Sequence, residues 1–136
     1  MPPATPAPRS VLVVDDDCDI LDLTRLVLEG GGYRVDAAIS GLEALRRLEI
    51  VLPDLILLDI SMPDMDGWQV LRALKAEERT AQIPVAIFSI KCEVRDRLQS
   101  LQRGAYDHIA KPFSCEDLLD RVRRIFDTLS PGRVPA

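Results

Sequence analysis

No apolar run in the 136-residue chain approaches the roughly 18 residues that a membrane-spanning helix needs. The three cysteines, Cys18, Cys92 and Cys115, are odd in number and far apart, which argues against a disulfide framework. Their spacing matches no zinc-ligand pattern, so reduced thiols and a cytoplasmic setting are expected. An excess of basic residues is also missing. The formal net charge is −5, and such a field repels phosphate backbones, so direct contact with nucleic acid is not expected. Residues 1–9 carry no cationic segment followed by an apolar one and read as a flexible Pro/Ala-rich arm, not a signal peptide. Residues 130–136 are similarly rich in helix breakers and read as a flexible tail. Between the arm and the tail there is neither a repeat nor low-complexity sequence.

What remains, residues 10–129, has the makeup of one ordinary globular domain, the whole chain being 47% hydrophobic and 29% charged. Its central stretch is Leu55-Ile56-Leu57-Leu58-Asp59, four apolar residues running into a carboxylate, followed by a turn punctuated by Pro63 and Gly67. A short continuous apolar run suits a strand buried on both faces, as in a parallel sheet covered by helices. Around it the pattern alternates. Val11–Val14 is a first strand ending on Asp15-Asp16-Asp17. A helix striped by Ile20, Leu23 and Val27 is stopped by Gly30-Gly31-Gly32. Residues 33–38 alternate like an edge strand. Ser40 and Glu43 mark the start of a second helix with stripe Leu42, Leu45 and Leu48. A third helix from about Gly67 carries Val70, Leu71 and Leu74. Val85–Phe88 is a fourth strand ending on Ser89. Val94, Leu98 and Leu101 repeat at helical spacing and predict a fourth helix, stopped by Gly104. Residues 105–110 form a fifth strand leading to Lys111, and Ser114 caps a last helix striped by Leu118, Val122, Ile125, Phe126 and Leu129.

Five strand–helix units in strict alternation imply an α/β fold with a five-stranded parallel sheet and helices on both faces. In the flavodoxin-like order 2-1-3-4-5, strands one, three, four and five lie side by side, and ligands bind beyond their carboxyl ends. There the sequence supplies Asp15, Asp16 and Asp17, then Asp59, Ser89 and Lys111. Taken singly, each is ordinary: Asp17 suits a helix N-cap, Ser89 says little, and Lys111 suits a solvated surface. Together they are a chemical set. Clustered carboxylates repel one another, and a hard cation such as Mg²⁺ (or Mn²⁺) relieves that repulsion while keeping waters that phosphoryl oxygens can replace. Lys111 offers a compact positive charge and Ser89 a hydroxyl to those oxygens, and Asp59 is placed to act as a nucleophile forming an aspartyl phosphate.

The residues that carry this chemistry resemble the signatures of response-regulator receiver domains. The three matching stretches are Val14-Asp15-Asp16, the run from Asp59 through Met62-Pro63 to Met65-Asp66-Gly67, and Lys111-Pro112-Phe113. The resemblance implies that Asp59 is the phosphoacceptor, served by a histidine kinase or histidine phosphotransfer protein, and that a downstream protein partner reads the result. It implies Asp16, Asp59 and the Ser61 carbonyl as direct metal ligands, with Asp15 acting mainly through water. Ser89 takes the place of the switch hydroxyl, and Lys111 that of the matching lysine, aimed by a cis bond before Pro112. The chain would then be a phosphoacceptor and no enzyme beyond self-phosphorylation and slow autodephosphorylation, either a monomer or a weak dimer.

Two positions depart from the family pattern. Ile90 follows the switch hydroxyl where Ala or Gly is usual, so it is expected to narrow access and slow phosphorylation or hydrolysis. His108, three residues before Lys111, occupies the place of a switch Tyr or Phe. A partly exposed edge-strand histidine accounts for it as well as a switch role does, and Tyr106 is a substitute for that role. Arg121, Arg123 and Arg124 read as favourable charges near a helix C-terminus, or as part of a partner surface formed by the last two long helices and the fifth strand.

Two other functions compete. Asp15-x-Asp17 after a strand loosely fits the aspartate-nucleophile phosphohydrolases of the haloacid-dehalogenase type, but the later acidic pair of that family has no counterpart after Ser89. A receiver-like binding module acting without phosphorylation is the other, and the retained acidic pair, Asp59, Ser89 and Lys111 stand against it.

Overall fold

A computed structural model of the chain describes residues 8–60, 62, 66–89, 94–111 and 113–129, leaving aside the side chains of 94 and 95. In chain order the elements are β1 (Ser10–Val14), α1 (Cys18–Gly30), β2 (Arg34–Ala38), α2 (Gly41–Leu48), β3 (Leu55–Asp59), α3 (Gly67–Ala76), α4 (Glu78–Ala81), β4 (Val85–Ser89), α5 (Val94–Gln102), β5 (Asp107–Ala110) and α6 (Cys115–Leu129). The strands form one parallel sheet in the order β2-β1-β3-β4-β5, as the alternating pattern anticipates.

β3 and β4 are buried at every residue, because helices cover both faces of the central strands. Alternate side chains therefore feed two cores. On one face Leu12, Val14, Ile56, Leu58 and Ile87 pack with Ala44 and Leu48 of α2 and Val70, Leu71 and Leu74 of α3. On the other, Val11, Val13, Leu55, Leu57, Ala86 and Phe88 pack with Leu21 and Leu28 of α1 and with Leu118, Val122, Ile125 and Phe126 of α6. β2 is an edge strand and alternates exposed with half-buried positions as far as Ala38.

The helix starts follow the side-chain chemistry. Asp17 caps α1 by accepting from the Asp19 and Ile20 amides, Ser40 caps α2 through the Glu43 amide, and Ser114 accepts from the Asp117 amide. Gly32 and Gly104 take positive φ, +94° and +101°, after α1 and α5.

Several expected stripes are corrected. In α1 the buried positions are Leu21, Thr24 and Leu28, and Leu23 is exposed. In α2, Ala44 and Leu48 face inward while Leu42 faces out. Leu129 is also exposed. The largest departure is α5, where Leu98 and Leu101 are 54% and 48% exposed and Ser100 is buried. Leu98 and Leu101 do lie on one side of a helix, as their spacing requires, but it is the outer side.

The four-residue α4 was too short to register as periodicity. It is held by Thr80, whose hydroxyl donates to the Leu74 carbonyl at 2.7 Å, and by Arg79, which donates to the carbonyls of Leu48 and Glu49 at the end of α2. Cys18 and Cys115 are the exposed first residues of α1 and α6. Cys92 lies outside the described residues.

Candidate functional site

The sheet register assembles the site. Val14 pairs with Leu58, so Asp15 and Asp59 stand side by side one residue later. Asp59 pairs with Phe88, Ser89 with Ala110, and Lys111 follows at once, its amide donating to the Ser89 carbonyl at 2.8 Å. Adjacent strands are about 4.8 Å apart. Residues from four non-consecutive segments thus meet at the carboxyl edge of the sheet.

Asp15 is completely buried and Asp59 is 5% exposed, whereas Asp16 is open to solvent. One carboxylate oxygen from each of Asp15, Asp16 and Asp59 can be chosen so that all three lie within 4.8 Å of one another. Lys111 Nζ donates to Asp15 Oδ2 at 2.6 Å and stands 3.7 Å from Asp59 Oδ1. Asp15 Oδ1 accepts from the Asp17 amide at 3.0 Å, so both oxygens of Asp15 are engaged. Three carboxylates against one ammonium leave two negative charges in a largely buried cluster, which fits a divalent cation.

Asp59 is held from behind by α3. The Gly67 amide donates to the Ile60 carbonyl at 3.1 Å. A Cβ at Gly67 would come within 2.5 Å of the Asp59 carbonyl oxygen and 2.6 Å of Ile60 Cα, so only glycine lets the helix start this close. Asp66 caps α3 in a reciprocal capping box, accepting from the Gln69 amide at 2.9 Å while its own amide donates to Gln69 Oε1 at 3.1 Å. The D-x-x-Q spacing of that box was open to sequence reading. The close approach at Gly67 had no sequence signal beyond the glycine itself.

Lys111 is steadied by its surroundings. Phe88 and Phe113 stack with centroids 5.3 Å apart, and Lys111 Nζ lies 5.9 Å from the Phe88 ring centre. Ser89 is 3% exposed at the end of β4. By alternation along the strands it shares a sheet face with His108, opposite to the face of Asp15, Asp59 and Lys111.

His108 is 2% exposed, which overturns the partly exposed edge histidine. Its Nδ1 is 2.8 Å from Ser100 Oγ, so it ties β5 to α5. Tyr106 precedes β5 and is 37% exposed, and its amide donates to the carbonyl of Val85, the first residue of β4. It therefore sits at the end of the sheet away from Asp59, which removes the ground for placing it as a substitute for His108. Arg121 is also corrected. It makes a two-pronged pair with Asp107 at 2.7 and 3.1 Å and donates to the His108 carbonyl at 3.1 Å, clamping α6 onto β5. The last turn of α6 holds no basic residue. Ser61, Ile90 and Pro112 lie outside the described residues.

Residues 11–123 match the family model described as the response regulator receiver domain. The chain is 39% identical over 115 residues to the DNA-binding dual master transcriptional regulator RpaA of Synechocystis sp., covering 85% of this chain and 48% of that protein. It is 37% identical over 126 residues to the phosphate regulon transcriptional regulatory protein PhoB of Escherichia coli, covering 93% of this chain and 55% of that one. The chain thus spans about half the length of the curated relatives it matches. Among solved structures, the chemotaxis protein CheY4 of Vibrio cholerae superposes with a TM-score of 0.82 at 28% identity, covering 88% of this chain and 99% of that one. A CheY-like receiver domain protein of Methanospirillum hungatei gives 0.81 at 32% identity, covering 93% and 99%.

Proposed function

The chain belongs to the response-regulator receiver-domain family of two-component signalling, and on that footing we propose that Asp59 is its phosphoacceptor. The carrying observation is the cluster of Asp15, Asp16 and Asp59 with Lys111 Nζ bridging Asp15 and Asp59. A histidine kinase or histidine phosphotransfer protein donates the group. An Asp59 oxygen forms the new bond to phosphorus as the phosphorus–nitrogen bond of the donor's phosphohistidine breaks, and the nitrogen leaves with that electron pair.

Asp16, Asp59 and the Ser61 carbonyl would hold Mg²⁺ directly, and Asp15, with both oxygens already engaged, would act through water. Bound there, the ion supplies charge neutralisation for the incoming phosphoryl oxygens. Lys111, already 3.7 Å from Asp59 Oδ1, turns its ammonium toward the phosphoryl group. Ser89 supplies a hydroxyl from the β4 end. His108 couples that end of the sheet to α5 through Ser100, so that phosphorylation biases α5 and β5 between two positions read by a downstream protein. Ile90 slows phosphorylation or hydrolysis, and Ile90→Ala should raise one of those rates.

The test is incubation with Mg²⁺ and a small phosphodonor, followed by intact-mass measurement. A phosphoryl adduct stable in acid and labile in base is expected, and it should be absent in Asp59→Asn. Failure to see an adduct with any donor would leave a module that works without phosphorylation. Turnover of a general phosphatase substrate that requires Asp15 but not Asp59 would point instead to a phosphohydrolase.

A further inference from the structure

An open groove lies along α3, apart from the acidic cluster at Asp59. Trp68, Arg72, Lys75 and Ala76 form one stripe of that helix at positions i, i+4, i+7 and i+8, and with Arg103, just after α5, they border an open groove of ≈ 560 Å³. Gly67 packs on Asp59, and Arg72 to Ala76 lie about 8–14 Å further along the axis at the helical rise, so the groove is separate from the acidic cluster.

Its charge is uncompensated. Arg25, Arg47, Arg121 and Arg124 each face a carboxylate. Among the described residues, Arg72 and Arg103 face none. Lys75 Nζ donates only to the carbonyls of Ala81 and Ile83, at 3.1 and 3.3 Å, and burial pushes its pKa below the usual lysine value. On a chain of net charge −5 this is a local positive patch.

The chemistry selects the occupant. Base stacking from a nucleotide is obstructed, because the Arg103 guanidinium lies 4.5 Å from the Trp68 ring centre and the indole also packs against the core. Tryptophan and arginine together, beside exposed aliphatic carbon at Ala76, are the composition of protein-docking hot spots. We propose that this groove docks an acidic helical segment of a partner protein, its carboxylates on Arg72 and Arg103 and an aliphatic side chain between Trp68 and Ala76.

Trp68 is the only tryptophan in the chain, so its fluorescence reports this groove alone. The probe is an Ala-based helical peptide of about 15 residues with Glu at i and i+4 flanking a Leu. A saturable fluorescence change is expected, weakened by salt and by at least about tenfold in Arg72→Glu/Arg103→Glu. A Lys-for-Glu peptide should recover binding to that variant. Arg72→Glu alone, which leaves the Arg103–Trp68 contact in place, should give an intermediate loss. The proposal is overturned by equal binding of a Gln-for-Glu peptide, by indifference to charge reversal, by tighter binding of tripolyphosphate than of the peptide, or by no saturable change. None of these readings involves Asp59, so their failure leaves the phosphoacceptor assignment untouched.

Discussion

α3 and α5 are fastened in opposite ways, although Arg103, just after α5, reaches the Trp68 ring of α3. α3 buries Val70, Leu71 and Leu74, is capped at its first turn by Asp66 and Gln69, and starts against the backbone of Asp59. α5, over its described side chains from 96 to 102, buries Ser100 and turns Leu98 and Leu101 outward. A polar bond, Ser100 to His108, ties it to the sheet. A helix with little buried apolar surface lies at the low end of local stability, where elements that move are found. Under the proposed function, α3 is the helix that holds Asp59 in place and α5 the one positioned to respond to it.

Four substitutions bear on this contrast, in descending order of effect. Leu74→Ala should cost about 2–5 kcal/mol in chemical denaturation, since a 1%-exposed side chain leaves a cavity behind α3. Gly67→Ala should cost about 1–3 kcal/mol and lower the rate of Asp59 phosphorylation, because the added methyl meets backbone atoms that cannot yield without moving Asp59. Ser100→Ala should cost about 1–2 kcal/mol by removing the bond to His108, and should speed amide exchange in α5 more than in α3. Leu98→Ala should stay within about 0.5 kcal/mol of the parent. A Leu98→Ala cost near that of Leu74→Ala would erase the distinction between the two helices.

The same contrast explains what the sequence made legible. Continuous apolar runs at 55–58 and 85–88 announce buried strands, because nothing polar interrupts them. The polar groups at the strand ends announce the site, since parallel strands must bring their carboxyl ends together. Leu98 and Leu101 misled because periodicity shows that residues share a side of a helix but not which side faces the core. The pairing of His108 with Ser100 has no signal in a linear reading, and only the packing of α5 on β5 brings it about. Arg121 misled similarly: its partner, Asp107, is 14 positions away and on another element.

The most direct test of the account compares amide hydrogen exchange in α3 and α5 before and after adding Mg²⁺ and a small phosphodonor, with Asp59→Asn alongside. The account predicts that exchange changes in α5 and β5, stays constant in α3, and does not respond in Asp59→Asn. An equal change in both helices, or a response that persists in Asp59→Asn, would contradict it.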